Sequence, residues 1–415
     1  MNRTKIAAID VGTTKVCTIM ADTDPRILGG GYPRILGVGV APSRGLQKGL
    51  VVNSNEAKEA IRESVRKAEQ TAGYRLESAS IGVTGRHINS SNNRGVVAIT
   101  RNDRRVRGQD LRRVLEVARA VRVPGDRELL HVIPRTYVID GQEGVKDPVG
   151  MHGFRLDVEA HVITAAVTSV QNLTKCIRGI GIEIDDLILE PLASAEAVLT
   201  EEEKQSGVVI ADIGGGTTDI AVFKDNSICY TSVLPVAGYQ ITRDITIGLE
   251  LPFELAEQMK KKYGNVTPVS EGRGSEGRGG KSETDRTLTE DGHSVSYAGL
   301  NEVIHSRVEE LLRLIVMELP RSESEHANLI PKGLVLTGGT ANLPGIAELG
   351  EKVTRLPVRI GLPLNLTGIA DTLLDPAYAT SVGLLLWRKR NEGAQGWQPR
   401  HGLRRVVFQL FRFLR

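Results

Sequence analysis

Aromatic residues supply only 4% of this 415-residue chain, which has three cysteines, eight histidines and no long apolar run. Each scarcity removes a class of protein. Cys17, Cys176 and Cys229 stand too far apart to frame a disulfide scaffold or a zinc cluster, which fits a reducing compartment. The histidines are scattered and offer no metal-ligand spacing. The opening run MNRTKIAAIDVG is short and soon interrupted by Asp10, unlike a secretory signal, and no window reaches the apolar length of a spanning helix. A cytoplasmic protein is expected. A net charge of +3 is too mild to argue for nucleic acid. The eight arginines between Arg101 and Arg122 have no aromatics among them on which bases stack. They are broken by Asp103, Asp110 and Glu116, so they read as a solvated helix face.

What is present is an ordinary globular composition, 40% hydrophobic and 25% charged, on a chain long enough for two domains or more. Strand-like runs KIAAIDVG, VCTIMAD, ASIGVTG and GVVAIT alternate with the helical stretches EAKEAIRESVRKAEQTAG and DLRRVLEVARAV, the pattern of an α/β protein. A second strand cluster follows at 207–234 and a third at KGLVLTGG, so a mixed, two-lobed architecture is expected. Residues 269–292 have too little apolar content to pack and read as a flexible loop. The GRGGKS within it is no P-loop, because Ser275 stands where that motif needs glycine. PRILG occurs at 25–29 and again at 33–37, as a local duplication in a hairpin.

Two glycine turns carry the chemistry: IDVGTTK at 9–15 and ADIGGGTTD at 211–219. Each sits between two β-branched apolar runs, the setting of a tight turn joining two strands. Such a turn aims several backbone N–H groups at one point, and glycine allows the close approach that phosphate oxygens need. Thr13, Thr14, Thr217 and Thr218 add hydroxyls, and Lys15 adds a positive charge. Asp10 and Asp212 repel phosphate, but each can hold waters of a Mg²⁺ that neutralises it. Singly, each turn is also a common hairpin. Two in separate halves, both opening D-x-G and both carrying paired threonines, point to a nucleotide clamped between lobes. A third piece, LTGGTANLPG at 336–345, follows a strand and can place Gly338, Gly339 and Thr340 against a nucleobase, or else simply enter a helix.

These motifs form the pattern of the actin, DnaK-type chaperone and sugar-kinase superfamily. Further segments, in order, are VTGRHINSSNNRGVVAI, LHVIPRTYVIDGQEGVKDPVGMHGFRLDVEAHVIT, LEPLASAEAVL, GGGTTDIAVF and GLVLTGGTANLPG, followed by an amphipathic closing helix. Together they resemble the FtsA family of bacterial cell-division proteins over residues 1–390 plus the tail. The resemblance implies an actin-like two-lobed ATPase fold with an α+β subdomain inserted in the first lobe. By similarity the first lobe holds 1–83, with the first phosphate loop, and 166–205, a connecting helix. The insert is 84–165 and makes contacts between filament subunits. The second lobe holds 206–234, with the second loop, then a small subdomain at 235–299 and the adenosine motif within 300–372. A helix at 373–390 returns to the first lobe, and 391–401 is a linker.

The same resemblance puts Asp10, Gly12, Thr13, Thr14 and Lys15 in one phosphate loop and Asp212, Gly214, Gly215, Gly216, Thr217 and Thr218 in the other. It places Gly338, Gly339, Thr340 and Asn342 along adenine. Glu257 and Lys260, one helical turn apart, face the ribose or form a solvated ion pair. Glu190 aligns with a position near the attacking water, with Glu196 the alternative if the helix register slips; slow hydrolysis at most is implied. ATP and Mg²⁺ are the implied cofactors. The implied partners are the C-terminal peptide of the tubulin-like division protein FtsZ, docked near the small subdomain, further copies of the chain, other divisome proteins and anionic inner-membrane lipid. The cytoplasmic face of the division site is the implied location. A type IV pilus platform component of the same fold is the nearest alternative. A metabolic kinase needs a catalytic carboxylate facing a sugar-sized pocket, and no motif supplies one. A chaperone needs a substrate domain after the ATPase, where only the linker and tail are expected after residue 390.

Half of the six phenylalanines lie in the last eight residues, within GLRRVVFQLFRFLR, 402–415. Wound as a helix, Leu403, Val406, Val407, Leu410, Phe411, Phe413 and Leu414 share one arc. Arg404, Arg405, Gln409, Arg412 and Arg415 take the other, and Phe408 is the misfit. Such a helix is about 20 Å long, too short for a bilayer core of about 30 Å. It can pack on its own domain, fill a partner's groove, or lie in a membrane interface with its arginines among anionic headgroups. The arginine density beside aromatic area favours the interface. Apolar burial of about 9 kcal/mol and about 4 kcal/mol from the arginines meet an ordering cost on the order of 13 to 20 kcal/mol, part of it recovered by helix hydrogen bonds, so a single tail binds weakly and an array of linked tails binds firmly.

Overall fold

The computed structural model describes residues 4–23, 32–120, 123–267, 286–320, 331–369 and 371–393, with side chains through Arg388. Two sheets dominate. The first has six strands in the order Glu183–Leu189, Ser78–Val83, Thr4–Val11, Lys15–Thr23, Arg34–Pro42 and Thr367–Gly368. The second has five, in the order Ser227–Leu234, Thr218–Lys224, Val208–Ile213, Leu334–Thr337 and Val358–Ile360. Each is built around an antiparallel hairpin, Thr4–Val11 with Lys15–Thr23 and Val208–Ile213 with Thr218–Lys224, flanked by a parallel strand.

The near-continuous apolar runs seen in sequence are strands buried on both faces. In the first sheet Ile6 and Ala8 point into a core shared with the second lobe, while Ala7, Ile9 and Val11 point into another beneath helix Ser54–Ala72. In the second sheet Val208 and Ile210 enter the shared core, and Val209, Ala211 and Ile213 enter the second lobe's own. The shared core is threaded by two helices, Glu190–Val198 and Ala379–Gly393. They approach so closely that a Cβ at Gly383 would stand 1.8 Å from the Ala193 carbonyl oxygen. These helices join the lobes beneath the cleft.

A separate four-stranded sheet lies between residues 89 and 166, in the order Asn89–Ala98, Arg155–Ala166, Arg127–Ile139 and Gln142–Val145. Helix Gly108–Arg119 covers one face, and Val97, Val114, Leu115, Ile139 and Leu156 form its own core. Of the arginine-rich stretch, Arg112, Arg113 and Arg119 lie exposed on this helix, whereas Arg101, Arg104, Arg105 and Arg107 precede it, with Asp110 buried against Arg101, so the expected helix face holds only three of the eight.

Three segments differ from expectation. Residues 287–292, assigned to a flexible loop, belong to a hairpin of Thr287–Glu290 with His293–Ser296, because Leu288 and Val295 are buried in the second-lobe core. The region 166–205 holds three helices, Val167–Arg178, Glu190–Val198 and Glu201–Ser206, and the strand Glu183–Leu189, rather than one connecting helix. The closing helix Ala379–Gly393 runs into the stretch assigned as linker. The first PRILG copy, residues 269–285 and the amphipathic residues 402–415 lie outside the described residues. The second copy begins strand Arg34–Pro42.

Candidate functional site

The two glycine turns are hairpin tips, and they face each other. A Cβ at Gly215 would stand 2.3 Å from Thr14 Cγ2, and one at Gly216 would stand 2.7 Å from Thr13 Oγ1. Only glycine lets the second turn lie this close against the first. Around the second tip the backbone is tied down. Gly214 O accepts from Gly238 N at 3.1 Å and from Thr340 Oγ1 at 3.0 Å, and Gly215 O accepts from Tyr239 N at 2.8 Å. Thus the start of helix Gly238–Gly248 and Thr340 of the third motif both reach the second turn.

Beneath the tips lie four buried carboxylates, Asp10, Glu190, Asp212 and Asp219. Asp10 accepts from Ser381 Oγ at 2.7 Å, Asp212 accepts from Ser194 and from Thr380 Oγ1 at 2.7 Å, and Asp219 accepts from Thr84. Burial raises the Asp10 carboxyl above its ordinary range; Ser381 and Lys15 oppose the rise, and Asp212 adds to it. Burial raises Asp212 as well, against Ser194, Thr380 and Lys15. Asp219 is pushed up to about 7, chiefly by burial and further by Asp212. Glu190 rises well above the usual range through burial and then through Asp10, Asp219 and Asp212. Asp212 thus hinders ionisation of the other three, and such a cluster suits a cation. Among the described residues no three Asp, Glu, His or Cys side chains converge as direct ligands. Asp10 and Asp212, each held by hydroxyls beneath the tips, fit a divalent ion held through its waters.

The structure sorts the expected site residues. Thr13 and Thr14 meet Gly216 and Gly215 across the cleft, with the two hairpin aspartates buried beneath them, whereas Gly214 N donates to the Thr217 carbonyl at 3.0 Å and closes its own turn. Lys15 donates to the Ala377 carbonyl and its ammonium lies 3.5 Å over the centre of the Tyr378 ring, joining the first turn to the return segment. Thr218 is fully buried and donates to the Val236 carbonyl at 2.7 Å, so its hydroxyl serves the fold. Gly338, with φ +83°, packs on the cleft floor, where a Cβ would stand 2.4 Å from Asp212 Oδ1. Gly339 is exposed beside it, and Asn342 is exposed and donates to Asp375 at 2.9 Å. Lys260 is buried and donates to Glu257 at 2.6 Å, to Thr242 at 2.8 Å and to the Gly238 carbonyl at 3.2 Å. The pair is therefore wired to the second turn and is no solvated surface pair. Glu190 packs against Gly82 beside the carboxylates, whereas Glu196 turns toward Lys204.

Asp219 and Thr84 carry a contact that the motif reading left unassigned. The signal was in the sequence, since Asp219 closes ADIGGGTTD and Thr84 sits in VTG. A groove of about 780 Å³ lies elsewhere, between helices Tyr297–Glu318 and Ile346–Thr354, and includes none of these residues.

Comparison with known proteins settles the family. Residues 209–383 match the family model "Cell division protein FtsA", and 85–164 match "SHS2 domain inserted in FTSA". The chain is 44% identical to the cell division protein FtsA of Pseudomonas aeruginosa over 390 residues, covering 94% of this chain and 90% of that one. The chain belongs to the FtsA family of cell-division proteins. The FtsA of Neisseria meningitidis is 40% identical, covering 96% of this chain and 93% of the relative. Solved structures give the actin-like fold independently of sequence. A PilM–PilN type IV pilus biogenesis complex superposes with a TM-score of 0.65 at 17% identity, covering 94% of this chain and 99% of that one. MreB5 of Spiroplasma citri bound to ADP does so with a TM-score of 0.51 at 14% identity, covering 94% of this chain and 98% of that one. At such identities the likeness concerns the fold alone, so the pilus relation bears on architecture, while the FtsA relatives place this chain in cell division.

Proposed function

We propose that this cell-division protein binds ATP with Mg²⁺ between its two glycine turns, assembles into filaments in that state, and holds FtsZ at the cytoplasmic membrane through residues 402–415. The observation that carries the reading is the convergence of Gly215 and Gly216 on Thr14 and Thr13 above four buried carboxylates. The backbone N–H groups of Gly12, Gly215 and Gly216, with the hydroxyls of Thr13, Thr14 and Thr217, hold phosphate oxygens, while Gly214 N donates to the Thr217 carbonyl and shapes the turn. Asp10 and Asp212 hold the metal's waters, and Ser381, Ser194 and Thr380 fix those carboxylates in place. Magnesium supplies positive charge that neutralises the phosphates. Gly338, Gly339, Thr340 and Asn342 border the base, and Glu257 with Lys260 faces the ribose while bracing Gly238. Glu190 orients the attacking water, with hydrolysis slow at most.

Residues 402–415 give each subunit a weak grip on anionic lipid, and assembly sums those grips. The insert contributes subunit contacts, and FtsZ and other divisome proteins are the partners. Asp212→Ala abolishes Mg²⁺-dependent ATP binding, measured by titration, and wild-type affinity in that variant overturns the nucleotide site. Deleting 402–415 shifts the protein from vesicle pellet to supernatant at unchanged ATP affinity, and an unchanged pellet overturns the anchor.

A further inference from the structure

The insert springs from the first lobe, yet it is fastened to the second. Strand Ser227–Leu234 is the free edge of the five-stranded sheet, and an edge strand presents unpaired carbonyls that must be covered. Two of them are Cys229 O, at the bulge between Tyr230 and Ile228, and Thr231 O, and both face the insert. Asn92 Nδ2 donates to the first at 3.1 Å, and Ser90 Oγ donates to the second at 3.0 Å. Ser90 and Asn92 are two apart on the insert strand Asn89–Ala98 and so share one face of it.

His161 completes the joint. It is 1% exposed and lies opposite Asn92 in the strand register. Its Nδ1 is 2.6 Å from Asn92 Oδ1 and its Nε2 is 3.0 Å from Thr231 Oγ1. Because the Asn92 amide nitrogen already donates to Cys229, its oxygen is the acceptor, and Nδ1 carries the proton. In the neutral ring Nε2 then accepts from the Thr231 hydroxyl. Arg135, paired with Glu159, adds a contact to Cys229 Sγ at 3.2 Å.

The fastened strand leads straight to the cleft. It pairs antiparallel with Thr218–Lys224, with Thr231 opposite Ala221, Val233 opposite Asp219 and Leu234 opposite Thr218. At the root of the insert, Thr84 donates to Asp219 itself. The insert therefore touches the second turn twice, through Thr84 directly and through the edge strand two residues beyond.

We propose that Ser90, Asn92 and His161 are positioning residues that couple the nucleotide cleft to the insert across the lobes, by holding strand Ser227–Leu234 and with it Asp219. This rests on the reading that ATP binds between the turns. A coupling of this kind is reciprocal, so loosening the joint weakens ATP binding although no joint residue touches nucleotide.

The test uses the full chain, with amide hydrogen exchange followed with and without MgATP in wild type, Thr231→Val, Asn92→Ala and the conservative Thr231→Ser. In the wild type, ATP slows exchange both at 212–219 and in 89–98 and 155–166. In Thr231→Val and Asn92→Ala it still slows exchange at 212–219, but the insert no longer responds and ATP affinity falls about fivefold or more. Thr231→Ser, which keeps the hydroxyl, restores both. Insert protection that survives in Thr231→Val and in Asn92→Ala overturns the coupling. Absence of protection at 212–219 in the wild type instead overturns the nucleotide reading, and with it the basis of the coupling. Should Asn92→Ala fail to fold, the Thr231 pair decides alone.

Discussion

Ser381 donates to Asp10 at 2.7 Å, so a hydroxyl near the end of the described chain fixes a carboxylate in its first strand. The contact runs through helix Ala379–Gly393, which lies in the core shared by both lobes. Residues 371 positions apart thereby set the floor of one cleft.

Ser381→Ala leaves the buried Asp10 carboxylate short of a donor. A loss of about 1–3 kcal/mol in folding stability is expected, together with weaker Mg²⁺-dependent ATP binding. Urea unfolding and nucleotide titration of the same preparation measure both, and a variant unchanged in each contradicts the role given to this contact.

Gly338→Ala meets two obstacles. Its φ of +83° disfavours any side chain, and the added Cβ would stand 2.4 Å from Asp212 Oδ1 and 2.6 Å from the Ile213 carbonyl. The carbonyl belongs to a central strand and cannot retreat, so Asp212 is displaced. Stability falls by about 1–3 kcal/mol, and ATP affinity falls roughly tenfold or more, a change of about 1.4 kcal/mol. Wild-type affinity in a folded Gly338→Ala protein contradicts the placement of Asp212 at the metal.

Asp219 makes stability depend on pH without ligand. Its carboxyl, ordinarily at 3.8, is pushed up to about 7, chiefly by burial, so between those values the folded chain binds a proton the unfolded chain releases. Its contribution is complete below the lower value and is lost as pH rises through the upper one. Asp219→Asn cannot ionise, so its stability gains on the wild type from about pH 4 to about pH 7. Parallel denaturation profiles across that window contradict the assignment.

Much of this site was legible in the sequence because turns and paired threonines are local signals. Gly12 and Gly214–Gly216 follow apolar strands directly, and the hairpins form where those strands end. What depends on distant packing was not legible. Thr218 and Thr217 are neighbours in one motif, yet Thr218 turns inward to the Val236 carbonyl. Glu190 and Glu196 stand on one helix, and only its seat against Gly82 separates the one in the cleft from the one bound to Lys204. The hairpin at 287–296 escaped notice because a single apolar residue per strand, Leu288 and Val295, anchors it. The edge-strand joint has no motif at all, since Ser90, Asn92, His161 and Thr231 meet only after both sheets have formed.

Coupling between nucleotide, assembly and membrane is tested most directly by sedimenting the full chain with anionic vesicles in MgATP, beside Asp212→Ala, which carries the same residues 402–415. The wild type is expected in the pellet and Asp212→Ala mostly in the supernatant, because unassembled tails bind singly. Equal pelleting of the two proteins would contradict the claim that assembly turns weak lipid contacts into a firm one.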